Sequence, residues 1–187
     1  GVFRPREWQM EIARDVLDSG ARTVGEMLPR GSGKTTLNAA IALYVFFTWG
    51  EGANVDIFAV DERQAGLAFS AAKRIVELSE ELSSRCYVYA DKLVIPLTDS
   101  TFQVMPASPA AAEGRDSVLT IVDEAGVVNR DLYEVVALAA GKRERSVLVA
   151  IGTPGPKLDD QVLLSLREQY QENPEDTSLR WRDYSNT

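Results

Sequence analysis

The segment Pro29-Arg30-Gly31-Ser32-Gly33-Lys34-Thr35-Thr36 gathers two glycines, a lysine and three hydroxyls into eight residues. Glycine at 31 and 33 lets a turn aim successive backbone N–H groups inward, which is how a main chain cradles phosphate oxygens. Lys34 can then reach the β- and γ-phosphates of a nucleotide, and the Thr35 hydroxyl can ligate Mg²⁺. The full spacing G-x-x-x-x-G-K-[ST] is not met, because Leu28 stands where the first glycine belongs. A Gly-Ser turn with an incidental lysine is the competing reading. The flanks decide against it: an apolar stretch of strand length precedes the turn and a helical pattern follows it.

A second segment, Val118-Leu119-Thr120-Ile121-Val122-Asp123-Glu124-Ala125, is an apolar strand ending in two carboxylates. Asp123 would hold the Mg²⁺ shell next to Thr35, and Glu124 would orient and polarise an attacking water. Carboxylates after a buried strand also serve as helix caps; the nearby phosphate turn favours the chemical reading. In the third, Leu148-Val149-Ala150-Ile151-Gly152-Thr153-Pro154-Gly155, a buried strand runs into a tight turn. The Thr153 hydroxyl could bond a γ-phosphate or water and report nucleotide state. A plain Pro-Gly turn is its competing reading.

These residues need elements to position them. A helix is expected over 6–19, with Trp8, Ile12, Val16 and Leu17 on its inner face and Gly20 as its stop. Strands are expected over 23–28, 55–60, 117–122 and 146–151, each an apolar run of the kind covered on both faces. The spacing predicts helices over 34–49, 62–82, 131–140 and 158–171; Leu67, Ala71, Ile75 and Leu78 form the inner stripe of the second. Residues 86–105 alternate like two or three short strands joined by turns at Asp91 and Asp99-Ser100, and a polar tail starts at 173–176. Strands alternating with helices predict an α/β, doubly wound, mainly parallel sheet over a single domain, 1–187. Tyr44, Phe46, Phe47 and Cys86 read as core, and Lys142-Arg143-Glu144-Arg145 as a solvated charge run.

Composition narrows the chemistry. The 187 residues are 45% hydrophobic and 26% charged, ordinary for a globular chain. Histidine is absent and cysteine occurs once, which excludes Ser-His-Asp hydrolysis, His-ligated zinc and a disulfide framework. The longest apolar run, 39–49, is about half of a membrane span, and charges recur from Arg4 onward where a signal peptide would be apolar. Twenty basic against 28 acidic residues give a net charge of −8, so any nucleic-acid contact must be local or built by assembly.

In order and spacing the motifs resemble the ATPase domain of tailed-phage terminase large subunits, over nearly the whole chain. Arg4-Pro5-Arg6-Glu7-Trp8-Gln9 is similar to that family's adenine-recognition segment, which implies Gln9 as the base-reading residue. Leu28 to Thr36 resembles its deviant phosphate loop, which lacks the first glycine and carries an arginine, here Arg30. This implies Arg30, Gly31, Ser32, Gly33, Lys34, Thr35 and Thr36 as nucleotide contacts, with Arg30 also catalytic. Asp123-Glu124-Ala125 matches Walker B plus catalytic glutamate, and Gly152-Thr153-Pro154-Gly155 the coupling motif. Leu179-Arg180-Trp181-Arg182-Asp183-Tyr184-Ser185 looks like the stretch near that domain's end.

The resemblance implies a P-loop NTPase fold of the ASCE, RecA-like type. It further implies ATP and Mg²⁺ as cofactors and hydrolysis that drives double-stranded DNA into a procapsid. The implied partners are further copies in a homo-oligomeric ring, a portal protein, a small terminase subunit and the DNA, in the host cytoplasm with no membrane. Two departures stand out. Where related motors carry a trans-acting arginine before Walker B, this chain has Glu113, followed by Gly114-Arg115. Arg115, Arg143 and Arg145 all remain open for that role. About thirty residues follow the coupling motif, too few for the nuclease domain such proteins usually add. A superfamily 2 helicase-like domain and a nucleotide switch without useful turnover are the alternatives; a GTPase lacks support, since no Asn-Lys-x-Asp occurs.

Overall fold

The computed structural model describes residues 4–155 and 161–186. Among the described residues eight strands form one sheet in the order β3-β4-β5-β2-β6-β7-β1-β8. They are β1 Thr23–Met27, β2 Val55–Ala59, β3 Tyr87–Val88, β4 Lys92–Ile95, β5 Ser100–Pro106, β6 Leu119–Asp123, β7 Val147–Gly152 and β8 Leu179–Asp183. All neighbouring pairs are parallel except β3–β4 and β4–β5, so the antiparallel hairpin lies at one margin.

The central strands read as unbroken apolar runs because each face has its own helical layer. Val24, Val55, Ile57, Ile121, Val149 and Ile151 pack with α1 Glu7–Leu17, α2 Lys34–Thr48 and α3 Glu62–Glu77. Phe58, Val122, Leu148 and Ala150 face the other way, onto α6 Arg130–Ala140 and α7 Gln161–Glu172. Between α3 and α6 the chain also forms two short helices, α4 Glu80–Arg85 and α5 Pro109–Ala112. The helix expected over 158–171 is seen from Gln161; residues 156–160 lie outside the described residues.

Three expectations need correction. The helix over 62–82 breaks at Leu78, because the Ser79 hydroxyl accepts the Leu82 N–H at 3.2 Å and starts α4 as a separate element. Its buried stripe is Ala65, Ala68, Phe69, Ala72 and Val76, while Leu67 and Leu78 are 52% and 77% exposed. Small alanines, with Phe69 as anchor, let α3 approach the core. Of the expected stripe, Ala71 and Ile75 do pack against the core, half-buried, while the two leucines miss it. Tyr44 is exposed, Phe47 is half-buried, and Phe46 alone of the three is fully buried.

The tail is the third. Instead of trailing as a polar end, Leu179–Asp183 pairs in parallel with β1, Trp181 opposite Gly25 and Arg182 opposite Glu26. Gly25 permits this: a Cβ there would lie 2.6 Å from the Trp181 ring. On the other face Arg182 fastens the strand to α1, its Nε 2.5 Å from Asp15 Oδ2 and its Nη1 3.6 Å from Glu11. The Tyr184 hydroxyl donates to Glu11 at 2.5 Å.

Beside this cluster Glu26 is fully buried, and among the described residues neither of its carboxyl oxygens has a hydrogen-bond partner. Burial foremost, then the Asp15 carboxylate, push its pKa well above the usual range; Arg182 opposes and Glu11 adds a smaller push. The folded state therefore keeps Glu26 neutral where the unfolded chain would ionise it. Stability from this group is full below the ordinary carboxylate pKa and falls as pH rises toward the folded value. Glu26→Gln, neutral at every pH, is expected to flatten the decline in urea-melt stability between mildly acidic and mildly alkaline solution. Parallel declines in both proteins would contradict the assignment.

Candidate functional site

The phosphate turn grows out of β1. Leu28, standing where a first glycine was missing, is fully buried, and its N–H donates to Gly152 O at 2.8 Å. It therefore extends the β1–β7 ladder by one residue, and the turn opens only after Pro29. Gly31 (φ +71°) and Gly33 (φ +81°) both adopt the left-handed conformation, with open space where a side chain would be. Gly33 is the cap of α2, so the first N–H groups of that helix face the turn. Arg30 is exposed at the crest, Ser32 and Thr35 are half-buried, and Thr36 is exposed.

Lys34 reaches from the first residue of α2 to the acidic end of β6. Its Nζ is hydrogen-bonded to Glu124 Oε1 and lies 3.5 Å from Asp123 Oδ1. Asp123 closes β6, 7% exposed, and accepts the Glu124 N–H at 2.9 Å. Glu124 itself holds the left-handed conformation at φ +51°, unusual for a residue with a side chain. That turn carries its carboxylate back over the sheet edge, where Thr153 Oγ1 donates to Oε2 at 3.4 Å. Burial foremost raises the Asp123 pKa; the Lys34 ammonium lowers it, and the Glu124 carboxylate raises it again.

Gly152 makes this closeness possible. A Cβ there would meet Leu163 Cδ1 at 3.0 Å and the backbone nitrogens of Gly126 and Ala125 at 3.2 and 3.3 Å. The loop after Glu124 thus lies directly on β7 and brings Thr153 to the carboxylate. In the sequence Gly152 is visible only as part of a tight turn. Nothing local says that another loop presses on it.

Lys34, Asp123, Glu124 and Thr153 therefore converge, with Thr35 following Lys34 on the first turn of α2. Among the described residues no group of three or more His, Cys, Asp or Glu could hold a metal by itself. The Thr35 hydroxyl and Asp123 carboxylate nevertheless suit Mg²⁺, which keeps several waters and takes one or two protein oxygens plus phosphates.

Gln9 sits apart from this cluster. It is buried on the first turn of α1, and its Oε1 accepts the Arg6 N–H at 2.8 Å, a capping bond. It lines, with Thr36, Leu37 and Tyr44, a cleft of about 520 Å³ bounded by α1, α2 and α3. A second hollow, about 450 Å³, lies between Arg6, Trp8, the 29–32 turn and Tyr184.

The arginines left open by the sequence are engaged elsewhere. Arg115 donates to Ala111 O at 3.1 Å and to Gln103 Oε1 at 2.5 Å, and its Nη1 is 3.7 Å from buried Asp56. Arg143 donates to both Asp116 oxygens at 2.9 and 3.1 Å and to Gly52 O at 2.5 Å. The Arg145 guanidinium stacks 3.8 Å from the Trp49 ring centroid. The 142–145 run is thus exposed at Lys142, Glu144 and Arg145, while Arg143 and Arg145 each also hold a partner in their own chain. It enters β7 at Val147, the end of that strand opposite Gly152 and Thr153. Cys86 is half-buried, and burial foremost raises its thiol pKa, as suits a packing residue.

Parallel strands with β7 between the phosphate-turn strand and the acidic strand, and a lysine joining the two, define a P-loop fold of the RecA-like type. The family described as "Terminase large subunit, ATPase domain" matches residues 19–171, and the chain belongs to that family. The fold is similar to the HK97 bacteriophage large terminase (TM-score 0.84, 23% identity), covering 97% of this chain and 40% of that one. It is also similar to the Thermus phage P74-26 large terminase ATPase domain (TM-score 0.69, 22% identity, 82% and 66% covered). The large terminase of a further, thermophilic bacteriophage, in complex with ATP-gamma-S, gives TM-score 0.70 at 12% identity, with 95% and 44% covered. The Pyrococcus furiosus Hef helicase domain shares the fold at TM-score 0.56 and 17% identity, covering 98% and 39%. No curated protein matches the chain in sequence. The chain spans about two fifths of the HK97 protein's length.

Gly152→Ala is expected to cost about 1–3 kcal/mol of stability, the usual range for overpacking. It should also disturb the Glu124–Thr153 contact, so any ATP turnover should fall in the folded variant. A thermal melt and a phosphate-release assay on the same preparation check both; unchanged stability would mean that the acidic loop gives way freely.

Proposed function

We propose that this domain hydrolyses ATP with Mg²⁺ as the motor of a terminase large subunit, driving double-stranded DNA into a procapsid. The observation that carries the reading is the convergence of Lys34, Asp123, Glu124 and Thr153 beside the Gly31–Gly33 turn. The ADP and ATP-gamma-S complexes of the thermophilic bacteriophage's large terminase support nucleotide as the ligand.

In the resting arrangement the Lys34 ammonium neutralises Glu124. Phosphates entering the turn compete for Lys34, and the backbone N–H groups from Gly31 to Thr35 add donors around them. Thr35 and Asp123 would hold Mg²⁺, which when bound offsets the charge that develops on the transferred phosphoryl group. Glu124, released from Lys34, orients and polarises the attacking water. Thr153, already within reach of Glu124, senses which partner that carboxylate has and passes the state to β7 and the turn beyond it. Arg30, exposed at the crest of the turn, is free to add charge to the phosphates in cis.

Assembly completes the motor. Arg115 serves its own chain as placed and would have to leave Asp56 and Gln103 before reaching a neighbour's site. A net charge of −8, with Arg143 and Arg145 tied down, gives one copy little hold on duplex DNA. Grip therefore comes from a homo-oligomeric ring working with a portal protein and a small terminase subunit in the host cytoplasm. Among the described residues no helix is long and apolar enough to cross a membrane.

Two substitutions test this reading. Lys34→Ala should remove detectable ATP binding in calorimetry. Glu124→Gln should keep nucleotide affinity and lower phosphate release by roughly 10²–10⁴-fold, the scale of general-base assistance. Undiminished binding in the first, or undiminished turnover in the second, would sink the assignment of that residue.

A further inference from the structure

We propose that Leu163 is a positioning residue for ATP hydrolysis: from α7 it holds the Glu124 turn in place once Lys34 has gone over to phosphate. The inference rests on the nucleotide-hydrolysing reading above and adds a residue to its site. Glu124 leads into the turn Ala125–Val127 with φ +51° and ψ +44°, in the left-handed region. A side chain makes that conformation costly, and it persists only where the surroundings over-determine it. The Glu124 N–H donates to Asp123 Oδ1 at 2.9 Å, and the Val127 N–H donates to Glu124 O at 3.0 Å. These bonds close the turn locally and fix nothing beneath it. Thr153 Oγ1 adds a long contact to the carboxylate, 3.4 Å. The firm tether from outside is Lys34 Nζ, and on the proposed function phosphates take it away.

What remains under the turn is α7. Leu163 is fully buried, and its Cδ1 lies 3.0 Å from the point where a Cβ on Gly152 would stand. The Gly126 and Ala125 nitrogens lie 3.2 and 3.3 Å from that same point. The leucine methyl and the backbone just after Glu124 thus crowd one spot on β7. α7 packs on the turn, and Ala125 shares a core cluster with Leu163, both fully buried. While the leucine fills that space, the turn cannot sink toward the helix. Removing its side chain leaves a void beside a strained turn, and the strain relaxes into it. Leu166 supplies the internal comparison. Three residues along the same face of α7, it lies over another glycine, its Cδ1 3.3 Å from the Cβ position of Gly25, next to the Trp181 ring. Both leucines pack a helix onto a glycine of the sheet. Leu163 is the one with the Glu124 turn beside it.

Leu163→Ala and Leu166→Ala are compared in the full chain by thermal melt, calorimetry with Mg²⁺ and ATP-gamma-S, steady-state phosphate release and hydrogen exchange. Both variants should melt at a lower temperature. Leu163→Ala alone should lower kcat, by about 10–10²-fold, the scale of a misplacement of about 1 Å, with nucleotide affinity within about threefold of wild type. The Val127 and Val128 amides, which close the turn, should exchange at least about tenfold faster in Leu163→Ala with nucleotide bound. Without nucleotide the increase should be much smaller, because Lys34 still holds Glu124. Leu163→Met, which keeps the volume, should recover most of kcat. Should Leu163→Ala fail to fold, Leu163→Val, which withdraws the δ-methyls, takes its place. Equal kcat in the two alanine variants would overturn the proposal. So would turn amides that respond alike with and without nucleotide, which is what a merely structural leucine gives. The exchange measurement needs binding alone, so it decides even where turnover is slow. Failure of the wild type to bind ATP-gamma-S would instead overturn the nucleotide-hydrolysing reading, and the proposal with it.

Discussion

One ammonium group lies among the carboxylates at the sheet's edge, and the arrangement of the site depends on it. Lys34 bonds Glu124 and stands 3.5 Å from Asp123, so the two acidic residues share a single cation. Without Lys34 the half-buried Glu124 and buried Asp123 would repel each other, and burial already works against the charge on Asp123. The same lysine belongs to the turn that would receive phosphates. It cannot satisfy both partners in full. On the proposed function, arrival of a polyanion at the turn would release the Glu124 carboxylate, so the two would be one electrostatic event.

The sheet order makes that exchange possible. Lys34 hangs from the helix after β1, Glu124 follows β6, and β7 lies between the two strands. Thr153 follows that intervening strand, so it meets one carboxylate oxygen from the end of β7 while Lys34 meets the other from α2. Gly152 lets the Ala125–Gly126 backbone settle on β7, and Leu28 ties the turn to the same strand through its N–H. Each of these tethers runs through β7, so on the proposed function a change of partner at Glu124 would be transmitted to that strand.

Most of this was legible before the structure. Glycines at 31 and 33 need no neighbours to announce a turn, and apolar runs of five or six residues announce buried strands. Lys34, Asp123 and Glu124 stood out because their chemistry depends on short-range spacing. What stayed hidden depends on contacts far apart in sequence. Trp181 reads as part of a polar end until Gly25, more than 150 residues earlier, is seen to leave room for its ring. Arg143 and Arg145 read as solvated because Asp116, Gly52 and Trp49 lie far from them in the chain. Leucine spacing misled over α3, since alanines made the close contact. Leu28 looked like a defect in a motif and is a core residue.

The central claim is that Lys34 exchanges Glu124 for phosphate. A crystal structure of the domain with Mg²⁺ and ATP-gamma-S tests it most directly. The account predicts Lys34 Nζ within hydrogen-bonding distance of the terminal phosphates, with the Glu124 carboxylate detached from it and turned toward water. A bound nucleotide with the Lys34–Glu124 contact intact would contradict it.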